Sequence, residues 1–458
     1  MTMENASLEA LLQTLLSDKK YTSVKDVVAT INPVDLAAIF DRLPEHSLAV
    51  LFRLLPKELA AETFVEMHTD LQQMLITGFS DRELRALVQE LYVDDAADLV
   101  EEMPANVVSR ILAQADPDMR RVVNEILKYP EDSAGSIMTT EYVILRPDMT
   151  SAEAIGRIRQ VGVDKETINT CYITDGKRHI LGVVSIRALI LAGEDQTVRE
   201  IMNPNVISVT TTDDQESVAT RLAKYNLTAM PVVDGENRLV GIVTIDDAVD
   251  VLVEEATEDM EMMAAITPSD KPYLKTTVWE LWWRRIPWLL FLMLSATVTG
   301  MIINHFEGAL AAQVALTAFI PMLMGTGGNS GAQSSVTVIR AISLGEVHFA
   351  DLPRIVWKEI RTAVLCGLAL AVVCFFKIWL VDSVIMKNED ITLMVNAVVC
   401  LAMFVTVLAA KTIGAVLPMV AKALRLDPAV MASPFITSIV DALSLLVYFL
   451  FATALLGI

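Results

Sequence analysis

The C-terminal part of this sequence contains about five apolar segments, each long enough to cross a membrane as a helix. A helix needs about 20 apolar residues to span the hydrocarbon core of a bilayer. The segments lie near 286–306, 310–338, 362–381, 391–417 and 432–457. The sequence therefore predicts a multi-pass α-helical membrane domain after Arg285, with lipid as one of its partners.

Basic residues predict which ends of these segments face the cytosol, because cytosolic flanks of membrane helices accumulate Lys and Arg. Three alternate connections hold Arg284, Arg285, Arg340, Arg354, Lys358, Arg361, Lys422 and Arg425. The remaining connections hold only Lys387. We therefore expect an inner (plasma) membrane protein whose N-terminal domains are cytoplasmic and whose Ile458 lies outside. The N-terminus lacks the basic and apolar pattern of a cleaved signal peptide.

Charge divides the chain into two parts. Through Asp270 there are 47 Asp and Glu against 23 Lys and Arg, whereas the remainder has 10 against 13, which together give the net charge of −21. An acidic soluble region repels nucleic acid and attracts cations, so we expect no nucleic-acid partner. The cysteines predict no disulfide framework, since Cys366, Cys374 and Cys400 lie in apolar segments and are expected to pack as small apolar side chains.

The second apolar segment contains a glycine-rich polar stretch, Gly325–Ser335, after Pro321. One interpretation is irregular backbone lining a pore, where freed carbonyls and the amides of Asn329 and Gln333 offer oxygen atoms to a hydrated cation. The alternative is a tight helix crossing in which glycines permit close approach. Packing accounts for the glycines, although it leaves the two amide side chains unexplained.

Asp441 is an acid well inside the last apolar segment. If Ser433 and Pro434 begin the helix, Asp441 lies roughly 10 Å along its axis at 1.5 Å per residue. An ionisable group at that depth is costly and indicates a functional site. A hydrated Mg²⁺ is one possible partner of Asp441, and an ion pair with Lys411 is the alternative.

Two internal repeats organise the N-terminal half. Residues 35–44 and 95–104 share the pattern D-x-A-x-h-h-x-x-h-P, which predicts a stack of short helices. Farther on, Ile137-Met138 recurs as Ile201-Met202, and residues 182–185 recur as 241–244, with about five extra residues near 161–169 in the first copy. This second repeat resembles a tandem pair of CBS domains.

The CBS resemblance implies a possible adenine-nucleotide site, with ATP as a candidate ligand. Such pairs use a G-h-h-T/S-x-x-D turn whose acid holds the ribose, and the second copy supplies Thr244 and Asp247. The first copy has Ser185 followed by Ala188, so the acid is missing there. At most one nucleotide site is expected, and a purely structural sensor module is the alternative.

A dense acidic run follows the second CBS copy. It contains eight acids and no base between Asp246 and Glu261. A solvated or disordered segment is the ordinary interpretation of such a run. Apolar residues on its remaining surface favour instead a connecting helix whose acids require counter-ions. Oxygen ligands without nearby His or Cys favour Mg²⁺ or Ca²⁺ over zinc or copper.

The order of these parts, together with residues 321–333 and 433–441, resembles the MgtE family of magnesium channels over essentially the whole chain. The fold class predicted is multidomain: an all-α superhelical N-domain (1–130), an α/β tandem CBS pair (131–250), an acidic connecting plug helix (251–275) and a five-helix transmembrane domain (276–458). The resemblance implies a homodimer whose pore is lined by Asp441, Asn329, Gly328, Thr326 and Gln333. It also implies that cytosolic Mg²⁺ is sensed by Glu62, Asp94, Asp98, Glu216, Asp247, Asp250, Glu255, Glu258 and Asp259.

Two positions depart from the family pattern. Asn226 replaces an acid after Tyr225, and Ser433 replaces an Asn before the proline of the last segment. We expect a weaker cytosolic site and a different lining of the cytosolic pore mouth.

The function expected is downhill Mg²⁺ influx through a channel that cytosolic Mg²⁺ closes. No phosphate-binding G-x-x-x-x-G-K-[ST] loop is present, and no catalytic group can be assembled from the motifs, so we expect no enzyme activity. The inside-negative potential favours cation influx by about 2.3 kcal/mol per charge per 100 mV. The alternative is a secondary transporter that couples Co²⁺ or Mn²⁺ movement to H⁺ or Na⁺.

Overall fold

The computed structural model describes residues 3–457 except 270, 272, 387–389 and 432. Lys387 and Ile458, on which the topology prediction partly depends, lie outside the described residues. The chain divides into two compact units, Met1–Leu252 and Val253–Ile458.

The first half of the N-terminal unit is entirely helical, which confirms the predicted helical N-domain. Its helices are α1 (Met3–Ser17), α2 (Tyr21–Val28), α3 (Pro33–Phe40), α4 (Glu45–Phe52), α5 (Lys57–Val65), α6 (Thr69–Gly78), α7 (Asp81–Val88), α8 (Val93–Glu102), α9 (Ala105–Gln114) and α10 (Pro117–Ile126).

The short repeat of this domain corresponds to one helix followed by the start of the next. Pro44 is the N-cap of α4 and Pro104 is the N-cap of α9, so each proline closes one repeat and begins a new helix. Phe40 and Phe64 are fully buried in a core to which nearly every helix contributes. Helices this short are marginal alone, so their stability comes from this shared apolar core.

Two three-stranded sheets follow, which confirms the tandem CBS pair. The strands are β1 (Ile144–Leu145), β2 (Thr170–Thr174), β3 (Ile180–Ser185), β4 (Val209–Thr210), β5 (Ala229–Val233) and β6 (Leu239–Thr244). In each sheet the first strand is parallel to the second, and the second is antiparallel to the third. The helices of this region are α11 (Ser151–Val161), α12 (Ile186–Leu191), α13 (Val198–Ile201), α14 (Gln215–Tyr225) and α15 (Ile245–Met263).

The repeated Ile-Met and glycine motifs pack reciprocally across the two CBS copies. A Cβ atom at Gly241 would lie 2.5 Å from the sulfur of Met138, and one at Gly182 would lie 2.8 Å from the sulfur of Met202. Glycine is therefore required at both positions for close approach. The predicted insertion is also confirmed, because eight residues (162–169) separate α11 from β2, whereas three (226–228) separate α14 from β5.

Within its described residues, the second unit contains five helices of 24 to 31 residues. Its helices are α16 (Val278–His305), α17 (Glu307–Ala312), α18 (Ile320–Ser343), α19 (Leu352–Lys377), α20 (Leu393–Ala423) and α21 (Ser433–Leu456). Residues 378–385 continue α19 as a π-helix. By length and composition, four helical segments of the described residues could cross a membrane, namely Val278–His305, Phe349–Ile385, Leu393–Ala423 and Pro428–Leu456.

Helices α18, α20 and α21 pack against one another and form the centre of the second unit, with α19 packed on α20. The core there includes Leu316, Leu445, Tyr448 and Phe449, all fully buried. This packing positions the polar side chains of α18 and the carboxylate of α21.

Candidate functional site

An acidic cluster joins the helical N-domain to the CBS pair within the first unit. Helix α8 carries Asp94, Asp95 and Asp98, and the CBS pair contributes Glu166 and Asp247. In the described part of the chain, the charged groups that act most strongly on the three α8 carboxylates are all acids. Like charges repel in a buried site, so protonation or a nearby cation would stabilise these carboxylates.

The pKa values of these carboxyl groups are raised, because burial and the neighbouring acids disfavour the ionised forms. Burial raises the pKa of Asp95 to about 6, with a further contribution from Asp247. Burial and the Asp247 carboxylate likewise raise the pKa of Glu166 to about 7. Burial and the neighbouring Asp95 raise the pKa of Asp98 to about 7, although its side chain stays in contact with solvent, which screens the repulsion.

Asp94 is the most buried member of the cluster. Its side chain is 8% exposed, and its Oδ1 atom is buried without a hydrogen-bond partner among the described residues. Burial raises its pKa well above the ordinary value, with Asp95, Asp247 and Glu166 adding to the effect. A buried polar atom without a partner is costly, so this carboxylate fits a hard cation such as Mg²⁺.

The carboxylates of the cluster share one electrostatic environment, but they do not converge on a single point. Across the ranges that the structure describes, no three His, Cys, Asp or Glu side chains lie closely enough together to hold a metal ion. The predicted residues Asp94, Asp98 and Asp247 do belong to one cluster.

Sequence reasoning missed Asp95 and Glu166. The one available signal for Glu166 was its position within the insertion of the first CBS copy.

Two other predicted sensor residues, Glu62 and Asp250, act electrostatically on groups beside this cluster. Burial raises the pKa of Tyr92, and the acids Glu166, Glu141, Asp95 and Glu62 add smaller contributions. Burial also raises the pKa of Glu66 at the end of α5, and Asp250 of α15 adds to it. Glu216 lies in the first turn of α14.

The predicted nucleotide motif is formed in the second CBS copy. The Thr244 hydroxyl donates a hydrogen bond to the Asp247 carboxylate. In the first copy, the backbone amide of Ala188 donates to the Ser185 hydroxyl at 3.1 Å, so the serine caps α12 and no carboxylate follows it at the matching position. Asn226 ends α14 with a left-handed backbone, φ +51°, a conformation that asparagine tolerates better than most residues.

The acidic run forms a helix, α15, whose bounds are Ile245–Met263 rather than the expected 251–275. Glu255, Glu258 and Asp259 lie in its second half. The hydroxyl of Ser343, the last residue of α18, donates to Asp259 Oδ2 at 3.3 Å. Burial raises the pKa of Asp259, and Asp427 adds to it. Asp427 was not identified from the sequence, where it is a single acid in a basic connection.

Asp441 lies eight residues into α21. Its Oδ1 atom is buried, and no described residue is hydrogen-bonded to it. One turn earlier on the same helix, Thr437 contacts the backbone of Gly328, since a Cβ there would lie 2.8 Å from the threonine methyl group. Asp441 is therefore adjacent to the packing surface between α21 and α18.

The expectation of irregular backbone at 325–335 is wrong, because α18 is a continuous helix from Ile320 to Ser343. Its carbonyls are engaged in helical hydrogen bonds, and its glycines pack. A Cβ at Gly414 of α20 would lie 2.2 Å from the carbonyl oxygen of Gly331, and one at Gly327 would lie 2.7 Å from Ser444 and Thr406. Small residues allow these helices to approach closely.

The polar side chains of α18 lie on a different face from these glycines. Asn329 and Gln333, one turn apart, are exposed in this chain, and Thr326 is partly exposed. Gly328, which the resemblance also placed in the pore, is buried under Thr437. The structure thus separates a packing face from an amide-bearing face of the same helix.

Lys411 does not pair with Asp441, so this alternative for Asp441 is wrong. The lysine side chain is 5% exposed, and its ammonium group lies 3.5 Å from the Ser334 hydroxyl. That hydroxyl donates to Glu359 Oε2 of α19 at 2.7 Å. The lysine is therefore linked to a carboxylate on another helix through one serine. The side chain of Ser433 is outside the described part, and its predicted effect on the pore mouth stays a prediction.

Comparisons with known proteins agree with this architecture. Residues 320–451 match the family described as divalent cation transporter (MgtE), residues 31–132 match the MgtE intracellular N domain, and residues 134–195 and 198–254 match CBS domains.

Three relatives illustrate the extent of the similarity. Magnesium transporter MgtE of Thermus thermophilus is 37% identical over 98% of both chains, and that of Bacillus subtilis is 33% identical over 99% of this chain and 98% of its own. The cytosolic domain of the Mg²⁺ channel MgtE, solved in complex with ATP, is 39% identical and covers 53% of this chain and 99% of its own, with a TM-score of 0.51. The chain belongs to the MgtE family of divalent cation transporters.

Proposed function

We propose that this chain forms a Mg²⁺ channel that carries the ion downhill into the cytosol and that cytosolic Mg²⁺ closes. The names of the full-length relatives support magnesium as the transported ion. The observation that carries the proposal for conduction is the Asp441 carboxylate, whose Oδ1 is buried in an apolar helix without a partner among the described residues. Such a group has a large desolvation cost unless a cation approaches it.

The amide face of α18 supplies further oxygen atoms to the proposed ion path. Asn329 and Gln333 are exposed polar residues on a helix of the membrane unit, where exposure to lipid is unfavourable. A second copy of the chain, placed with this face toward a shared axis, would cover these amides. We therefore propose a homodimer in the inner membrane, with five spans per chain, cytosolic N-terminal domains and an external C-terminus.

Closure is proposed to depend on two acidic regions, the cluster around Asp94 and the end of α15 around Asp259. Two carboxylates about 4 Å apart repel by about 1 kcal/mol in water and about 4 kcal/mol at an effective dielectric constant near 20. Bound Mg²⁺ reverses that repulsion, so the cluster around Asp94 and the end of α15 around Asp259 would each be held in the closed arrangement when cytosolic Mg²⁺ is high. Helix α15 carries Asp247 in its first turn and Asp259 near its end, and it would couple the two regions.

ATP is proposed as a second ligand of the sensor. The Thr244 and Asp247 pair supports one site in the second CBS copy, and the solved relative with bound ATP supports the ligand class. Loss of ATP binding in Asp247→Asn, with retention in Ser185→Ala, is the expected result.

The decisive experiment measures Mg²⁺ flux into proteoliposomes under an imposed voltage and no other ion gradient. We expect flux with the wild type and none with Asp441→Asn that is inserted and folded. The control is Asp382→Asn, since Asp382 already pairs with Lys377 at 2.8 Å. Flux that requires an H⁺ or Na⁺ gradient would support the coupled transporter instead.

Gating is tested in the same vesicles with the triple variant of Glu255, Glu258 and Asp259 to alanine. We expect its flux to be insensitive to Mg²⁺ on the cytosolic side. Inhibition equal to that of the wild type would exclude the role proposed for α15.

A further inference from the structure

The first turns of α16 carry a cluster of exposed tryptophans, Trp279, Trp282 and Trp283. The ring centroids of Trp279 and Trp282 are 5.9 Å apart, and those of Trp282 and Trp283 are 5.8 Å apart. Because residues three and four positions apart share one face of a helix, the three rings form one aromatic surface. Together with Glu280 and Arg284 they line an open cavity of about 360 Å³.

The charge beside this cavity is positive, because its carboxylate is already paired. Glu280 accepts hydrogen bonds from the Thr277 amide at 2.9 Å and from the Lys271 ammonium at 2.7 Å. Arg284 is half-buried and Arg285 is exposed, and neither forms an ion pair with a carboxylate of the described residues. Within the described part of the chain, two guanidinium groups thus lie beside the aromatic cavity without a counter-charge.

An exposed apolar stripe continues from the tryptophans along α16. Leu290, Leu294 and Val298 follow Trp283 at intervals close to whole helical turns, and all three are exposed. The stretch from Trp283 to Val298 spans roughly 22 Å at 1.5 Å per residue. One leaflet of a bilayer contributes about 15 Å of hydrocarbon, half of a core of about 30 Å. The stripe is therefore long enough for an acyl chain whose headgroup lies at the tryptophans.

We propose that this end of α16 binds an anionic glycerophospholipid of the cytosolic leaflet. The guanidinium groups of Arg284 and Arg285 bind the phosphate, the tryptophan rings cover the glycerol region, and one acyl chain follows the apolar stripe. Amphipathic rings settle at the headgroup level, and basic residues attract anionic lipid. A positive site favours anionic lipid over phosphatidylcholine, whose choline group it repels. The choice of leaflet rests on the orientation proposed above, whereas the binding does not depend on ion conduction.

The test measures tryptophan fluorescence of the full-length protein in phosphatidylcholine vesicles. An equal mole fraction of the lipid is replaced either by brominated phosphatidylglycerol or by brominated phosphatidylcholine. Bromine quenches tryptophan fluorescence at short range, so the quenching reports lipid that contacts the rings. We expect the wild type to bind brominated phosphatidylglycerol with a relative association constant roughly fivefold higher, which is the factor that one basic residue contributes near anionic lipid.

A double variant, Arg284→Gln with Arg285→Gln, should make the two brominated lipids equally effective quenchers. The matched control is Lys422→Gln with Arg425→Gln, which removes two exposed charges from another connection of the same unit. This control should keep the wild-type preference. Loss of the preference in the control as well would overturn the site, because it would indicate a general attraction of anionic lipid to basic segments.

A second variant locates the bound lipid. The chain has six tryptophans, and three of them line the cavity. Trp279→Phe, Trp282→Phe and Trp283→Phe together keep an apolar surface, and this variant should lose the extra quenching by brominated phosphatidylglycerol. Extra quenching that persists would place the lipid at other tryptophans and overturn the assignment. Equal quenching of the wild type by both lipids would also overturn it, as expected if a second copy of the chain covers the rings.

Discussion

Replacement of Glu166 by glutamine should stabilise the first unit when no divalent cation is present. Glu166 faces Asp247, Asp246 and Asp95, and its pKa rises from 4.5 to about 7. That rise corresponds to about 3 kcal/mol of unfavourable free energy for the ionised form at 1.36 kcal/mol per pKa unit. Because the side chain is partly exposed, solvent screening reduces the expected gain to about 1–2 kcal/mol.

The size of this effect depends on pH. A carboxyl group whose pKa is higher in the folded than in the unfolded state favours folding while it is protonated. Its contribution is lost as the pH rises from about 4.5 through about 7. The advantage of Glu166→Gln should therefore be full at pH 8 and small at pH 5.

The assay is thermal unfolding of the purified full-length protein, followed by circular dichroism in the presence of a chelator. About 1–2 kcal/mol in a unit of this size corresponds to an increase in Tm of roughly 2–8 °C. Addition of Mg²⁺ should stabilise the wild type more than the variant, since the variant lacks one of the repelling charges that the ion neutralises.

The matched control is Glu194→Gln, the same chemical change at an exposed position of the same CBS copy. We expect this control to change Tm by less than the Glu166 variant at every pH. A Glu166→Gln protein that is less stable than the wild type in chelator at pH 8 would refute the account of the acidic cluster, as would equal shifts in the two variants.

Three further predictions concern ion binding and helix packing. The acidic cluster should bind Mg²⁺ more tightly at pH 8 than at pH 6, because protons compete for carboxyl groups whose pKa values are about 6 to 7. The Mg²⁺ concentration that gives half-maximal protection from protease should therefore be lower at pH 8. Gly414→Ala should lower the yield of folded protein in detergent, since the added Cβ would lie 2.2 Å from the Gly331 carbonyl oxygen, whereas Gly308→Ala meets no described atom within 4 Å and should not. Ser334→Ala should lower thermal stability by about 1–3 kcal/mol, because it removes the hydroxyl that contacts the buried Lys411 ammonium; the double variant with Lys411→Met should recover part of that loss.

The sequence predicted the architecture well because its signals were local and repeated. The repeated Ile-Met and glycine motifs identified both CBS copies, and the difference in spacing located the insertion at 162–169. Apolar length identified four long helical segments of the second unit, and α18 is not among the described segments apolar enough to cross a membrane. The segment expected at 310–338 is divided, because a short helix and a 3-10 turn precede α18, which begins at Ile320. Asp441 was identified because an acid in a long apolar segment has few structural explanations.

The contacts of the acidic groups could not be predicted in the same way. Glu166 reaches the α8 acids only because the insertion folds against the helical N-domain, a contact between residues about 70 positions apart. Lys411 had Asp441 as the nearest candidate partner in the apolar segments, but the rotation of α20 directs its ammonium toward Ser334 on α18. Neither fact follows from the spacing of residues along one helix.

Helix α18 shows why the two interpretations of the glycine-rich stretch were not true alternatives. Gly327, Gly328 and Gly331 face α20 and α21, and they permit the close packing that keeps α18 continuous. Asn329 and Gln333 project from another face of the same helix and are exposed in this chain. Close packing determines the rotation of α18 about its axis, and this rotation determines the direction of its amide side chains. Glycines that pack and amides proposed to bind a hydrated ion are thus two consequences of one sequence pattern, and loss of a packing glycine should disturb both.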